Sequence, residues 1–295
     1  MDSLPLYVVA NYEKPRSESP EQYPHNPMKS LFTSLCLAAS LTSTHGALVS
    51  GWSFSQGSPN GSNFGTSSPT IGTGADFSAD GVGIFAVTPS YTLANTGDTL
   101  TLSGSGTFDF TNADDAASGA DAFRMGLFNV NGSANTANWL GVLGTTSHGT
   151  TGTGKLFNRL DNLDNSTAEF ASGNGTASLD TGVSSNVAPS SGVLRETNFN
   201  YDLAIERLGD DSLDVSFTFL NESDGGLTYE LNLSGNIAAG DVTTYTFDRV
   251  GFLSTGQMDA STVQLNNVDV TFVPEPSSAV LFGLAGLGLL LRRHR

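Results

Sequence analysis

Along residues 48–272, hydrophobic side chains recur at every second position, and no stretch shows a convincing helical period. The alternating runs are bounded by clusters of Gly, Asn, Asp and Ser, which favour turns. We therefore predict β-strands throughout this region. The predicted strands are residues 99–103, 108–110, 123–130, 139–143, 201–208, 213–219, 229–233, 245–253 and 263–272.

Turn signals connect three of these strands into a meander. Gly209-Asp210-Asp211 lies between the first two of the three, and residues 223–226 lie between the second and the third. About ten strands with turns at such intervals are typical of a sandwich or barrel. The sequence predicts an all-β fold in which residues 48–272 form one jelly-roll-like β-sandwich. Residues 55–80 and 144–192 are rich in Gly, Ser, Thr and Asn, which favours surface loops or edge strands.

One spacing in the second half of this region carries a resemblance to known folds. It runs from Tyr201 through Glu206, Arg207, Asp211, Leu213 and Phe217 to residues 247–252. This spacing resembles that of concanavalin-like and laminin-G-like jelly rolls. The resemblance implies a sandwich fold for the body of the chain.

The N-terminal segment has a different composition from the body. Residues 28–47 begin with Met28-Lys29, continue with an apolar run over residues 31–41 and end in small and polar residues up to Ala47. This order is typical of a secretory signal peptide, and it is too short for a membrane anchor. We expect export through the Sec machinery and cleavage by signal peptidase after Gly46 or Ala47. Residues 1–27 are Pro-rich and acidic, and we interpret them as a disordered leader or as residues upstream of a true start at Met28.

The C-terminal segment has three parts. Val273, Pro274, Glu275 and Pro276 come first, an apolar run follows over residues 279–291, and the basic residues Arg292, Arg293 and Arg295 close the chain. As a helix, the apolar run would be about 20 Å long, shorter than the roughly 30 Å hydrocarbon core. A plain C-terminal membrane anchor with a cytoplasmic basic end is one interpretation.

The complete three-part order also resembles the PEP-CTERM sorting signal of Gram-negative bacteria, and Pro274-Glu275-Pro276 matches the motif that gives the signal its name. The resemblance implies that a membrane-bound enzyme of the exosortase type processes the chain at this signal. It also implies transient attachment to the inner membrane, followed by transfer to the outer surface or the extracellular matrix of a bacterium that makes exopolysaccharide. Residues 273–295 would then be a sorting signal with a short transmembrane helix.

Charge and cysteine content argue against several classes of function and of structural site. The chain has 12 Lys and Arg against 29 Asp and Glu, a net charge of −17, so binding to nucleic acid is disfavoured. The one cysteine, Cys36, lies in the predicted signal peptide. A disulfide framework or a thiolate metal site is therefore not expected in the mature protein.

The body offers little catalytic chemistry. His148 is the only histidine that would remain after processing, and neither a nucleophile elbow nor a phosphate-binding loop is present. Glu206 and Glu230 lie on predicted neighbouring strands and are a conceivable glycosidase pair. Solvent-facing carboxylates are the simpler interpretation, and we predict that the protein is not an enzyme.

Two kinds of binding site remain as hypotheses. Calcium is the candidate cofactor, because Asp109, Asp114, Asp115 and Asp121 crowd one loop and its flanks; the alternative is that these carboxylates only keep the protein soluble. Trp139 and Trp52 are candidates for stacking on sugar rings; the alternative is that they belong to the core.

Together these features predict an exported cell-surface or matrix protein with a structural or adhesive role. The first alternative is a carbohydrate-binding module that acts on exopolysaccharide, and the second is a glycan-active enzyme.

Overall fold

The computed structural model describes residues 45–56, 68–72, 82–109, 119–132, 138–148, 153–159, 176–183, 197–222, 228–254 and 262–275. These residues all belong to one compact unit, Thr42–Arg295. Within the described ranges the chain forms fourteen strands and one 3-10 helix, Ala239–Asp241. The strands are β1 (His45–Leu48), β2 (Trp52–Gln56), β3 (Thr70–Gly72), β4 (Val82–Thr92), β5 (Thr99–Asp109), β6 (Gly119–Asn129), β7 (Leu140–His148), β8 (Thr153–Arg159), β9 (Thr176–Val183), β10 (Thr197–Arg207), β11 (Leu213–Glu222), β12 (Thr228–Ile237), β13 (Thr246–Ser254) and β14 (Thr262–Val273).

The strands form two antiparallel sheets of seven. Sheet A has the order β1-β14-β5-β10-β11-β12, and β3 also pairs with β14. Sheet B has the order β2-β4-β13-β6-β7-β8-β9. The predicted all-β sandwich and the predicted meander, which is β10-β11-β12, are confirmed.

Several strands were not predicted. The predicted strands lie in β5, β6, β7 and β10 to β14, whereas β1 to β4, β8 and β9 add to them. The expectation of surface loops or edge strands for residues 144–192 is wrong for β8, which lies between β7 and β9 and buries Leu156 and Phe157. β1 contains the last three residues of the predicted signal peptide and pairs with β14.

Alternation along each strand places one set of side chains between the sheets. Tyr201, Leu203 and Ile205 of β10 are buried there, and the residues between them face outwards. The Phe108 and Phe199 rings stack with centroids 4.3 Å apart. Sheet B comes so close that a Cβ on Gly144 would lie 2.8 Å from the Phe217 ring. The core of the sandwich is therefore a continuous apolar layer.

Arg207 ties together the loops at one end of the sandwich. Its guanidinium donates to the carbonyl oxygens of Leu93 and Ala94, pairs with Asp211 at 2.6 Å and lies 4.5 Å from the centre of the Tyr245 ring. In the β10-β11 turn, Asp210 Oδ1 accepts hydrogen bonds from the backbone N–H and the hydroxyl of Ser212. This end of the sandwich holds the loop that meets the C-terminal motif.

Candidate functional site

The outward side of sheet B carries an apolar cluster of its own. Its buried members are Phe128, Leu143, Phe157 and Leu253 from four strands and Trp139, which precedes β7; Phe85 and Val130 pack against them half-buried. The Trp139 ring meets Phe85 edge-on at 5.1 Å and lies 6.2 Å from Phe128. Sheet B is therefore apolar on both faces, unlike a sheet with one solvated side.

Strand register brings basic residues to this same face. Arg124 lies opposite Leu253 of β13 on one side and Thr145 of β7 on the other. Thr145 in turn lies opposite Lys155 of β8, so the two cations are two strands apart, about 10 Å. Arg249 of β13 lies opposite Phe128 of β6.

Cations and aromatic rings are in contact on this face. Lys155 Nζ lies 5.9 Å from the centre of the Phe157 ring, and the Arg159 guanidinium carbon lies 5.4 Å from the centre of the Phe128 ring. Arg159 is 0% exposed, whereas the other three basic residues are partly exposed. We call this the basic-aromatic face, and it consists of Phe85, Arg124, Phe128, Trp139, Lys155, Phe157, Arg159 and Arg249.

The outward side of sheet A has the opposite charge. Carboxylates alternate with buried residues on four of its strands, and they form what we call the acidic face: Asp202, Glu206, Asp214, Glu230 and Asp269. The one basic residue described in sheet A, Arg207, turns away towards the loop at residues 93–94. Asp202, opposite Ser103 and Thr218, is half-buried, and this burial raises its pKa above the usual aspartate value.

The conceivable glycosidase pair does not form. Glu206 lies opposite Asp214, which lies opposite Asn236 of β12, and Glu230 is six residues further along that strand. Six residues span about 20 Å, and two strand spacings add about 10 Å sideways. A glycosidase needs its carboxylates about 5–10 Å apart. Glu206 and Glu230 are therefore too far apart to act on one glycosidic bond.

The two predicted stacking residues are buried. Trp139 is 2% exposed and Trp52 is 6% exposed. Trp52 packs inside the sandwich, 5.7 Å from Phe252, and Trp139 lies in the outer cluster of sheet B. The prediction of an exposed stacking platform is wrong for both rings, because apolar neighbours cover them. What the sequence did not reveal is the set of basic residues around Trp139, since only strand register brings them together.

The structure describes little of the residues proposed to bind calcium. Asp109 and Asp121 belong to β5 and β6, in different sheets, and their side chains lie outside the described part, as do Asp114 and Asp115. Among the residues that the structure describes, no group of three or more His, Cys, Asp or Glu is arranged to hold a metal ion. The calcium site stays a prediction.

The C-terminal motif begins on the body itself. Val273 is the last residue of β14, and the backbone N–H of Glu275 donates a hydrogen bond to Asp98 Oδ1 at 2.9 Å. Pro276, Arg292, Arg293 and Arg295 lie outside the described residues. Within the described ranges, no helix has the length and apolar content needed to cross a membrane.

Residues 272–295 match the PEP-CTERM protein-sorting motif. The sorting signal predicted for this end is thus confirmed, and it implies export, membrane transit and processing by exosortase-type machinery. Among curated proteins, no sequence matches the chain.

Several solved lectin structures are similar to the body. Lectin II from Ulex europaeus is 9% identical, has a TM-score of 0.44, and covers 78% of this chain and 97% of its own. Peanut lectin is 10% identical with a TM-score of 0.43, covering 78% and 96%. The carbohydrate recognition domain of Emp47p is 9% identical with a TM-score of 0.40, covering 76% and 88%.

Proposed function

We propose that this is an exported matrix protein that binds anionic exopolysaccharide through the basic-aromatic face, and that this binding gives it an adhesive role. The observation that carries the proposal is the separation of charge between the two sheets. Of the five Lys and Arg residues of the body that the structure describes, four lie on the outward side of sheet B. Arg159 is buried and Arg249 pairs with Asp248 at 3.5 Å, so the partly exposed Arg124 and Lys155 are the main candidates for contact with a polyanion. The acidic face of sheet A carries five carboxylates.

The net charge of −17 does not oppose this assignment at contact distance. Charges in water at physiological ionic strength are screened over about 8 Å, so a polyanion on sheet B responds mainly to the side chains there. Arg and Lys donate charge-assisted hydrogen bonds to carboxylate or sulfate groups. Half-buried Phe85 and 59% exposed Val87, opposite Arg249, add apolar surface for the C–H faces of sugar rings.

The proposed role is binding and not catalysis, which the separation of Glu206 from Glu230 supports. Uronic acids are the simplest anionic sugars with carboxylates that Arg and Lys can pair. A polyuronate is therefore the appropriate first probe, and a neutral glucan is its comparison.

Binding of the purified protein to immobilised alginate and to dextran tests the proposal. We expect binding to alginate and not to dextran. The double variant Arg124→Gln and Lys155→Gln should bind alginate about tenfold more weakly, because it loses two partly exposed ionic contacts, each of which is weaker than a buried one. Raising the salt concentration should reduce the difference, since the lost contacts are ionic.

The control places one new negative charge on the opposite face. Ser216 of β11 is exposed, and its partners across the sheet are Ala204 and Ser234, so Ser216→Glu meets no carboxylate directly opposite. This variant should bind alginate as the unaltered protein does. The control changes the net charge by one unit and the double variant changes it by two. A control that loses half or more of the binding free energy lost by the double variant would therefore contradict the assignment to sheet B, because net charge alone would then explain the effect.

A further inference from the structure

Asp98 connects the body to the sorting motif. The residue is 1% exposed, and its Oδ1 accepts the hydrogen bond from the N–H of Glu275. Its Oδ2 accepts from the backbone N–H of Asn95 at 2.7 Å and from the Asn95 side-chain amide at 3.4 Å. One oxygen of this buried carboxylate therefore accepts hydrogen bonds from its own loop, and the other accepts a hydrogen bond from the motif. A buried carboxylate that loses such partners is unfavourable, so the arrangement holds Glu275 firmly.

The loop that carries Asp98 is itself held by β10. The Gly97 N–H donates to the Arg207 carbonyl oxygen at 2.7 Å, and the Arg207 N–H donates to the Asp98 carbonyl oxygen at 3.1 Å. The Asp98 N–H donates to the Asn95 carbonyl oxygen at 3.2 Å. Because the guanidinium of Arg207 also binds the carbonyl oxygens of Leu93 and Ala94, both ends of the loop are fixed to one strand.

Gly97 leaves the space that the side chain of Glu275 uses. A Cβ on Gly97 would lie 2.7 Å from both Cδ and Oε2 of Glu275, and the φ of +85° is one that other residues rarely adopt. The carboxylate end of Glu275 therefore lies against Gly97, while the residue as a whole is exposed. The loop therefore binds the backbone of the motif and leaves part of Glu275 exposed to another molecule.

We propose that residues Asn95–Asp98 are a docking site for the sorting motif, which presents Glu275 to the membrane-bound processing enzyme in one fixed position. Presentation explains the exposure of Glu275 better than shielding does, because a shielded motif would have its side chain covered. A motif that is already held extended at the end of β14 also loses less conformational freedom when an enzyme binds it.

The length of the chain beyond Glu275 supports the same conclusion. Four residue steps separate Glu275 from Ala279, where the apolar run begins, and they span at most about 14 Å. The enzyme that processes this signal therefore meets the motif together with the adjoining loop. A contact surface made of both is a natural consequence of so short a connection.

Amide hydrogen exchange on the full chain in detergent tests the docking itself. In the unaltered protein the Glu275 amide should be protected. In Asp98→Ala it should exchange about tenfold faster or more, the factor expected when one charge-assisted hydrogen bond is lost. The matched control is Asp210→Ala, which removes the two hydrogen bonds to Ser212 in a loop that makes no described contact with the motif. Exchange at Glu275 that is equally fast before and after Asp98→Ala would overturn the docking site.

Processing in the host tests the presentation. The fraction of chain that has lost the tail should fall in Asp98→Ala, by up to about tenfold where the docked motif becomes the minor state, and should not change in Asp210→Ala. A second variant does not touch the body. Insertion of Gly-Ser-Gly between Val273 and Pro274 keeps Pro274-Glu275-Pro276 intact but moves Glu275 about 10 Å along the chain from Asp98.

If processing depends on docking, the insertion should lower the processed fraction as Asp98→Ala does. Because the insertion leaves the body unchanged, this result is informative even if Asp98→Ala folds poorly. If the insertion is processed as efficiently as the unaltered chain, the motif is read without the body and the proposal is wrong. An increase in processing in either variant would also overturn it, because the loop would then shield the motif. Alginate binding should be unaffected by the insertion, which separates this proposal from that for sheet B.

Discussion

The two outward faces of this sandwich differ more than the two inward faces do. Both inward faces are apolar and belong to one core. Outside, sheet A carries carboxylates between Thr, Ser and Asn, whereas sheet B buries rings, a leucine pair and an arginine. The acidic face suits solubility, since exposed carboxylates of one sign keep molecules apart. Solubility does not explain the basic-aromatic face, because a sheet can be soluble without burying side chains such as Arg159 and Trp139.

The largest expected effect comes from Trp139. Trp139→Ala should lower the free energy of unfolding by about 3–5 kcal/mol, because it opens a cavity between Phe85 and Phe128. Leu220→Ala is the matched truncation on the acidic side, where Leu220 of β11 is half-buried and faces outwards. It should cost less than about 1 kcal/mol, since part of the side chain already meets water.

Urea titrations of both variants measure this comparison. If Trp139→Ala and Leu220→Ala cost the same, the outer cluster of sheet B is not a second core. If Trp139→Ala instead keeps its stability but loses alginate binding, the ring stacks on sugar, as the sequence predicted, and does not serve mainly as core.

The same difference explains why the sequence missed β4 and β8 of sheet B. β5, β10 and β11 of sheet A alternate cleanly, because their outward residues are polar, and all three were predicted. β4 and β8 of sheet B were not. In β4, residues 84–87 are apolar on both faces, and in β8 Leu156 and Phe157 are adjacent and both buried. In these two strands period-two alternation is lost because both of their faces are covered, so the sequence carries no clear strand pattern there.

Sites were harder to predict than strands for a related reason. The sorting motif could be read directly, because it is contiguous and lies at the end of the chain. The basic-aromatic face draws Arg124, Lys155 and Arg249 from three strands, and the Asp98 contact joins residues 177 positions apart. Strand register creates the first site and loop closure creates the second, and no local sequence pattern predicts either of these two arrangements.

The smallest expected effect concerns one carboxylate of the acidic face. Because burial raises the pKa of Asp202 above the ordinary value of 3.8, the folded state holds this proton more tightly than the unfolded state does. The ionised form of Asp202 therefore destabilises the fold. This penalty is absent below pH 3.8 and grows as the pH rises through the raised pKa. Asp202→Asn should relieve it.

At pH 7 we expect Asp202→Asn to be more stable than the unaltered protein by about 0.5 kcal/mol or less, since a half-exposed charge is well screened. Below pH 3.8 the advantage should vanish, because Asp202 is then protonated in both states. Exposed Asp214, on the next strand, provides the control Asp214→Asn. Thermal unfolding at the two pH values measures both variants, and an advantage of Asp202→Asn that persists at low pH would show that packing, not charge, distinguishes Asp202 from its neighbours.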